Sequence, residues 1–420
     1  MQLKHALMHN IIWKVASFIF LFVTNILIVR ILGAAESGSL FYFIAWLTLL
    51  ITILKFGLDN GLTFLATKNP TAISGLVKFL IPLSVLQTLI AATIIFFSTR
   101  KGLIFHMHAS IIFVMANIGM YYVFAFYASK KMFGSYNIIN LIFTAISTLI
   151  FIYWYYFRPK TSIQLTDFVF RVLTWAAAAN VVALALNYWF VAKHTTTPPK
   201  LDKLITTKLF RYSGLNFFSH IIMFMIVRAD YYFVENYCDP TVFGNYVQAA
   251  KFGQMMMMIP GLMGGVIFPY SIRRQQDMQH KVMHLCKVVT LCFIGGYTVV
   301  LLIGGWLFPW MLGAQFGYVH HMLVLLLPGV LFASINLLLI SYFEGQNRQK
   351  LIFVSNLVII VLLIVMDRLA VPSFGYKAAA IAFTIANLTG TGILSYFFLQ
   401  KSGIHWSNIV RLQSVFREKL

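Results

Sequence analysis

Acidic residues are scarce in this chain: Asp and Glu together number 11 among 420 residues, against 32 Lys and Arg. Charged residues of all four types make up only 10% of the sequence, whereas 60% is hydrophobic. So little charge excludes an ordinary soluble domain, and the formal net charge of +21 points to anionic partners. The composition indicates a helical protein that crosses a membrane many times.

Motifs for catalysis and cofactor binding are also missing. The three cysteines (Cys238, Cys286 and Cys292) show neither paired nor metal-ligand spacing. No G-x-x-x-x-G-K-[ST] sequence is present, so the chain has no ATP-binding loop of its own. No long loop carries the paired carboxylates that a membrane glycosyltransferase or polymerase needs. We therefore predict a non-enzymatic protein without metal or cofactor.

Apolar runs of about 20 residues dominate the chain, which is the length that an α-helix needs to cross a bilayer. The runs do not alternate with polar residues, and this excludes a membrane β-barrel. Twelve spans are predicted: 11–32, 39–66, 75–97, 103–129, 137–157, 168–191, 209–235, 242–270, 282–306, 318–343, 351–370 and 375–400.

The predicted fold is an all-α polytopic membrane protein with two six-helix bundles, residues 1–200 and 201–400. The proline-containing stretch at 193–208 is the predicted linker between them. Because six is an even number, both halves enter the membrane from the same side, which predicts a pseudo-two-fold axis along the membrane normal. Gly38 and Gly244 open the second spans of the two halves. This geometry predicts a binding site between the halves near the midplane.

Lys and Arg mark the orientation. The loops on the side of the N-terminus hold most of the basic loop residues, among them Arg273, Arg348 and Lys287. The opposite loops hold few, such as Arg171 and Arg368. The positive-inside rule therefore predicts that both termini are cytoplasmic. The tail 401–420 reads either as a basic amphipathic helix on an anionic lipid bilayer or as a frayed polar end.

Once the basic residues assigned to loops are set aside, six remain within or near the predicted spans: Lys14, Arg30, Lys55, Lys78, Arg228 and Lys251. Lys78 lies at the cytoplasmic end of its span and can snorkel to the interface, which leaves five intramembrane candidates. A charge at the bilayer centre costs about 2.5–3.5 kcal/mol, so such residues usually face a cavity or a partner. Arg228 and Lys251 lie at the same predicted depth in adjacent antiparallel helices, roughly 12–13 Å from the outer ends. The alternative is structural ion pairing together with snorkelling of Lys14 and Arg30 to the interface.

Two acids, Asp59 and Asp230, are the candidate partners of these bases within the membrane. Asp59 follows Lys55 by four residues on one helix face, which favours an ion pair. Asp230 is expected to pair with Lys251, because it points away from Arg228. Both acids are candidates for ion coupling or charge pairing. The remaining positive excess favours an anionic cargo in a cationic central cavity.

Helix bends are predicted at Pro82, at Pro260 with Gly261, and at Pro328, because proline removes an amide donor and clashes with the preceding turn. Bent helices suit a protein that alternates its openings, although packing alone also explains many such kinks.

Several segments resemble the polysaccharide transporter family, the Wzx-type oligosaccharide-lipid flippases of the multidrug/oligosaccharidyl-lipid/polysaccharide (MOP) superfamily. These segments are Val29-Arg-Ile-Leu-Gly-Ala-Ala-Glu-Ser-Gly38, Phe56-Gly-Leu-Asp59, Arg228-Ala-Asp230, Val242-Phe-Gly244-Asn-Tyr246-Val-Gln-Ala-Ala-Lys251, Ile259-Pro260, Phe268-Pro269 and Phe374-Gly-Tyr-Lys-Ala-Ala-Ala380.

The resemblance implies a flippase that moves undecaprenyl-diphosphate-linked oligosaccharides of O-antigen, capsule or exopolysaccharide from the inner to the outer leaflet of the bacterial inner membrane. It implies a polysaccharide polymerase and chain-length proteins as partners, and no nucleic acid. Arg228, Lys251 and Lys55 would contact the diphosphate. The alternatives are a multidrug/cation antiporter of the same superfamily, a lipid-II-type flippase and a membrane polysaccharide polymerase.

Overall fold

The computed structural model describes residues 3–68, 73–99, 107–130, 132–157, 165–192, 203–272 and 278–402. Within these ranges the chain is helical apart from short turns and contains no β-strand. The helices are α1 (Leu3–Lys55), α2 (Leu58–Lys68), α3 (Ile73–Thr99), α4 (Met107–Ser129), α5 (Phe133–Phe157), α6 (Leu165–Ala192), α7 (Lys203–Tyr237), α8 (Pro240–Met256), α9 (Met258–Ile272), α10 (Met278–Leu312), α11 (Val319–Gly345), α12 (Gln349–Phe374) and α13 (Tyr376–Ser402). A short 3-10 helix, Ala314–Phe316, precedes α11.

Ten helical stretches of the described chain are long and apolar enough to cross a membrane. The twelve predicted spans map onto them with two differences. The stretch Val15–Lys55 contains the first span and most of the second. The eighth span is divided into α8 and α9, which have 17 and 15 residues. The all-α fold predicted from the sequence is confirmed.

We predicted a loop between the first two spans. The chain instead stays helical there and is interrupted only at Gly33, so that prediction is wrong in detail. The Gly33 φ of 77° lies in the left-handed region, where glycine is favoured, and helix continues on both sides of it. A single glycine therefore kinks the backbone between the first two spans. A second break follows at Phe56 and Gly57, whose φ values are 48° and 65°. It separates α1 from α2 inside the predicted second span.

The chain divides into two compact units, one of Met1–Gly33 with Leu40–Ile221 and one of Ala34–Ser39 with Ile222–Leu420. The division falls inside α7 and not in the predicted linker. Residues 193–202 of that linker and the tail from 403 onward lie outside the described residues. The boundary at 200 and the amphipathic tail therefore stay predictions.

In the first unit, α4 packs against α2, α3 and α6, and α5 packs on α6. The core contains large side chains from several helices, including Leu47, Phe113, Phe151 and Phe170. Phe170 makes edge and tilted ring contacts with Phe43 and Phe113, at centroid distances of 5.1 and 5.6 Å. This packing holds α2, and with it the break at Phe56 and Gly57, against the bundle.

In the second unit, α11 is the central helix and packs against α8, α9, α10 and α13. In the most apolar segment of its span, 61% of the residues are buried, which is the highest share among the ten stretches. Helix α8 ends at Met256, four residues before Pro260. A proline ring clashes with the carbonyl of the residue four positions earlier, which here is Met256. By contrast, α3 and α11 run through Pro82 and Pro328 without interruption.

Candidate functional site

The first polar cluster lies at the break between α1 and α2. The Lys55 ammonium contacts Asp59 Oδ2 at 2.7 Å, and the two side chains are only 8% and 14% exposed. The predicted ion pair is therefore confirmed. The ammonium also lies 4.1 Å from the ring centroid of Tyr121, a cation–π contact that we did not predict. Lys55 is thus largely neutralised within its own bundle.

Other polar groups surround this break. Gln87 donates to the carbonyl of Leu54 at 2.8 Å, which satisfies an acceptor at the end of α1, and its amide nitrogen lies 2.6 Å from the Tyr122 hydroxyl. His220 Nε2 lies 3.4 Å from the Asn60 amide. Asp59 Oδ1 is buried without a hydrogen-bond partner. A donor from a ligand or a water molecule would satisfy it.

The second cluster joins α7 and α8 and is built around Arg228. Its guanidinium donates to Gln254 Oε1 at 2.8 Å and to the hydroxyl of Tyr231, and lies 4.9 Å from the ring centroid of Tyr231. These partners are neutral. Arg228 therefore keeps its positive charge although it is half-buried in a helix of lipid-crossing length.

Lys251 belongs to the same cluster. It is half-buried and lies one helical turn before Gln254 on α8, so the two share a helix face. The Arg228 and Lys251 charges are close enough to repel each other. Two cations held together in a low-dielectric setting form a site that an anion stabilises.

Asp230 has partners other than the Lys251 that we expected. Its Oδ2 accepts a hydrogen bond from the Tyr246 hydroxyl at 2.6 Å, and its Oδ1 accepts one from the backbone N–H of Tyr231 at 3.0 Å. Asp230 is only 3% exposed. The side chain that binds the Asp230 carboxylate from α8 is therefore Tyr246, whereas we had predicted Lys251.

Asp367 is a buried acid that we did not predict as part of the site. It lies on α12, its exposure is 0%, and neither carboxylate oxygen has a hydrogen-bond partner among the described residues. It is close enough to Asp230 for their charges to interact. Asp367 lies inside the predicted span 351–370, and this position could have identified it as a membrane-buried acid. It was passed over because the neighbouring Arg368 was assigned to the outer loop. Counting Asp367 lowers the predicted excess of positive charge within the spans by one but does not remove it.

The remaining basic candidates are less enclosed. Arg30 is exposed on α1, and its guanidinium lies 3.4 Å from the Tyr155 hydroxyl. The side chain of Lys14 lies outside the described part of the structure. Near the start of α6, Arg171 pairs with Asp167 at 2.8 Å. Lys287, which we had assigned to a cytoplasmic loop, is instead buried on α10 with 9% exposure, and that assignment is wrong.

Comparison with known proteins gives one family. The sequence profile described as "Polysaccharide biosynthesis protein" matches residues 7–275. No curated protein sequence matches the chain.

Solved structures with similar folds are membrane transporters. The lipid II flippase MurJ in an inward closed conformation has a TM-score of 0.72 at 10% identity, covering 95% of this chain and 89% of its own. An inward-facing multidrug resistance MATE family transporter of the MOP superfamily has a TM-score of 0.65 at 9% identity, covering 92% and 94%. A MOP superfamily transporter from Pyrococcus furiosus, whose title describes a binding pocket of reverse polarity, has a TM-score of 0.58 at 12% identity, covering 94% of each chain. These similarities identify the fold.

Proposed function

Because the chain belongs to the polysaccharide biosynthesis protein family and has the MOP transporter fold, we propose that it is a flippase for undecaprenyl-diphosphate-linked oligosaccharides. The oligosaccharide would be a repeat unit of O-antigen, capsule or exopolysaccharide. It would move from the inner to the outer leaflet of a bacterial inner membrane by alternating access. In this proposal both termini are cytoplasmic, and the protein performs no covalent chemistry.

The observation that carries the proposal is the cationic pair of Arg228 and Lys251. Both side chains are half-buried on the consecutive helices α7 and α8, and the hydrogen bonds of Arg228 go to the neutral groups of Gln254 and Tyr231. A diphosphate would be attracted to both side chains. Arginine can grip two phosphate oxygens at once, whereas lysine acts as a point charge. The pair therefore suits the charged part of a lipid-linked sugar.

The other basic candidates have supporting roles in the proposal. Lys55 could exchange its partner Asp59 for the substrate, since its ion pair lies next to a helix break. Arg30 is exposed on α1 and could contact a passing anion. Lys14 is included among the cavity residues of the proposal because of its position in the sequence alone.

Transport without ATP is energetically feasible. Each negative charge moved outward across an inside-negative membrane gains about 2.3 kcal/mol per 100 mV. Coupling to an inward ion flow would add to this, with Asp59 or Asp230 as the carriers. A polymerase on the outer side would consume the product and keep the flow directed.

Asp367 favours a second candidate function, a cation antiporter of the same superfamily. A buried carboxylate without a partner, close to Asp230, suits an organic or inorganic cation better than a diphosphate. The two functions are separable by measurement. An antiporter would drive efflux of cationic drugs on an ion gradient, and Asp367→Asn would abolish it.

The flippase is tested by charge reversal in cells. Arg228→Glu and Lys251→Glu should each abolish surface polysaccharide, while membrane insertion and abundance stay normal. Lys78→Glu is the matched control, because Lys78 is exposed on α3 and should tolerate the same charge change. Wild-type polysaccharide in both site variants would exclude these residues from the site and remove the main support for the proposal.

A further inference from the structure

A cavity of about 210 Å³ lies in the second unit among α10, α11 and α13. Its walls are mainly apolar and include Met283, Phe332, Leu339 and Phe398. Of the described residues that line it, only Lys287 is charged. Leu339 and Phe398 lie in the last two turns of α11 and α13. The cavity is therefore near the end of the unit where the basic residues Arg348 and Lys350 follow α11.

Lys287 lies at the level expected for lipid phosphates. After it, residues 288–312 of α10 contain no charged side chain. These 25 residues are about 37 Å long at 1.5 Å per residue, enough to cover a hydrocarbon core of about 30 Å. The segment before Lys287 is polar, with His280, Lys281 and His284. The ammonium of Lys287 is therefore placed at the boundary between head groups and hydrocarbon.

The size and access of the cavity suit part of a lipid. Apolar cavities of about 150 Å³ hold a molecule as small as benzene, whereas pockets for whole ligands run from about 300 Å³ upward. A volume of 210 Å³ therefore fits a segment of one hydrocarbon chain. Helix α10 is the least buried of the ten candidate stretches, with 17% of its most apolar window buried, so this side of the unit is open to lipid.

We propose that this cavity is a binding site for an anionic phospholipid, with one acyl chain among α10, α11 and α13 and its phosphate on Lys287. One lysine matches the single negative charge of a phosphodiester. A diphosphate carrier would bring more negative charge than the one cation lining the cavity can balance. The proposal does not depend on the transported substrate.

The test is lipid retention by the purified full-length protein, measured by native mass spectrometry after titration with equal amounts of phosphatidylglycerol and phosphatidylcholine. Wild-type protein should retain phosphatidylglycerol selectively. Lys287→Ala should weaken that retention about fivefold, as the loss of one lysine near a lipid phosphate implies. Lys287→Arg should restore it. Lys281→Ala is the matched control, because this lysine is exposed on the same helix and does not line the cavity.

A cavity-filling variant tests the position of the chain. Ser395→Phe places a ring in the cavity and should reduce retention of the lipid, whereas Thr389→Phe on the same helix lies outside the lining and should not. Glycerol phosphate, which has the head group but no chain, should not compete. Equal retention of both lipids, wild-type retention in Lys287→Ala and Ser395→Phe, or displacement by an equal amount of undecaprenyl phosphate would each overturn the proposal.

Discussion

The guanidinium of Arg228 on α7 donates a hydrogen bond to the side-chain oxygen of Gln254 on α8 at 2.8 Å. A carboxylate at that position would have formed a closed ion pair of the kind that Lys55 makes with Asp59. An amide holds the arginine in place without forming an ion pair with it. The difference separates a structural pair in the first unit from a cation that can recognise a ligand in the second.

Gln254→Glu should convert the recognition site into an ion pair. The new carboxylate would lie at hydrogen-bond distance from Arg228, so the protein should stay folded and inserted. Substrate binding should weaken roughly ten- to a hundredfold, because a hydrogen bond to a charged group contributes about 1.5–3 kcal/mol. Binding of a lipid-linked diphosphate to purified protein measures this. Gln254→Leu, which adds no charge, is the control and should bind more tightly than Gln254→Glu.

Gly244 should not tolerate a side chain. A Cβ at this position would lie 1.9 Å from the carbonyl oxygen of Ala34, and a Cβ on Gly38 would lie 2.8 Å from Gly244 Cα. Gly244→Ala should therefore cost about 3 kcal/mol or more, at the upper end of overpacking effects. Thermal unfolding of detergent-purified protein measures the loss. Gly261→Ala, whose Cβ would meet no atom within 4 Å, should unfold at the wild-type temperature.

Much of the fold was predictable because each span appears in the sequence as a continuous apolar run long enough to cross a bilayer. The kinks were harder. Gly33 reads as a loop residue, yet the chain stays helical on both sides of it, since tertiary packing decides whether a glycine ends a helix or bends it. The break at Phe56 and Gly57 was missed for a related reason, because nothing local favours a left-handed phenylalanine. Pro260 gave a clear signal, and α8 ends four residues before it.

The site was predictable only where partners are close in sequence. Lys55 and Asp59 are four residues apart, so helix geometry alone predicted their contact. The partner of Asp230 comes from α8, and a choice between Lys251 and Tyr246 requires the packing of two helices. Lys287 was assigned to a loop and Asp367 was overlooked, because counting charges at span ends cannot tell a boundary residue from a buried one.

The ion pair of Lys55 and Asp59 should show strong coupling in a double-mutant cycle. Asp59→Leu leaves the lysine charge buried and should destabilise the protein by about 3–5 kcal/mol. Lys55→Met combined with Asp59→Leu removes both charges and should restore most of the stability. Unfolding by heat or denaturant gives the four stabilities. Full transport by the stable double variant would show that Lys55 is structural and has no part in substrate recognition.

Membrane orientation is testable with reporter fusions. Green fluorescent protein fused after Leu420 should fluoresce, because both termini are expected in the cytoplasm. Alkaline phosphatase inserted between α7 and α8, after Tyr237, should be active, since the hairpin is expected on the outer side. An insertion after Gly345, between α11 and α12, should be inactive. The reversed pattern would contradict the orientation and with it the proposed direction of transport.

Transbilayer movement of a fluorescent undecaprenyl-diphosphate oligosaccharide in proteoliposomes tests the central claim most directly. The account predicts that wild-type protein and Lys78→Glu move the lipid well above the rate in empty vesicles, and that Arg228→Glu and Lys251→Glu, correctly folded, do not. Movement at the wild-type rate in either folded charge-reversal variant would show that this residue is not essential for recognising the diphosphate, and in both it would contradict the account.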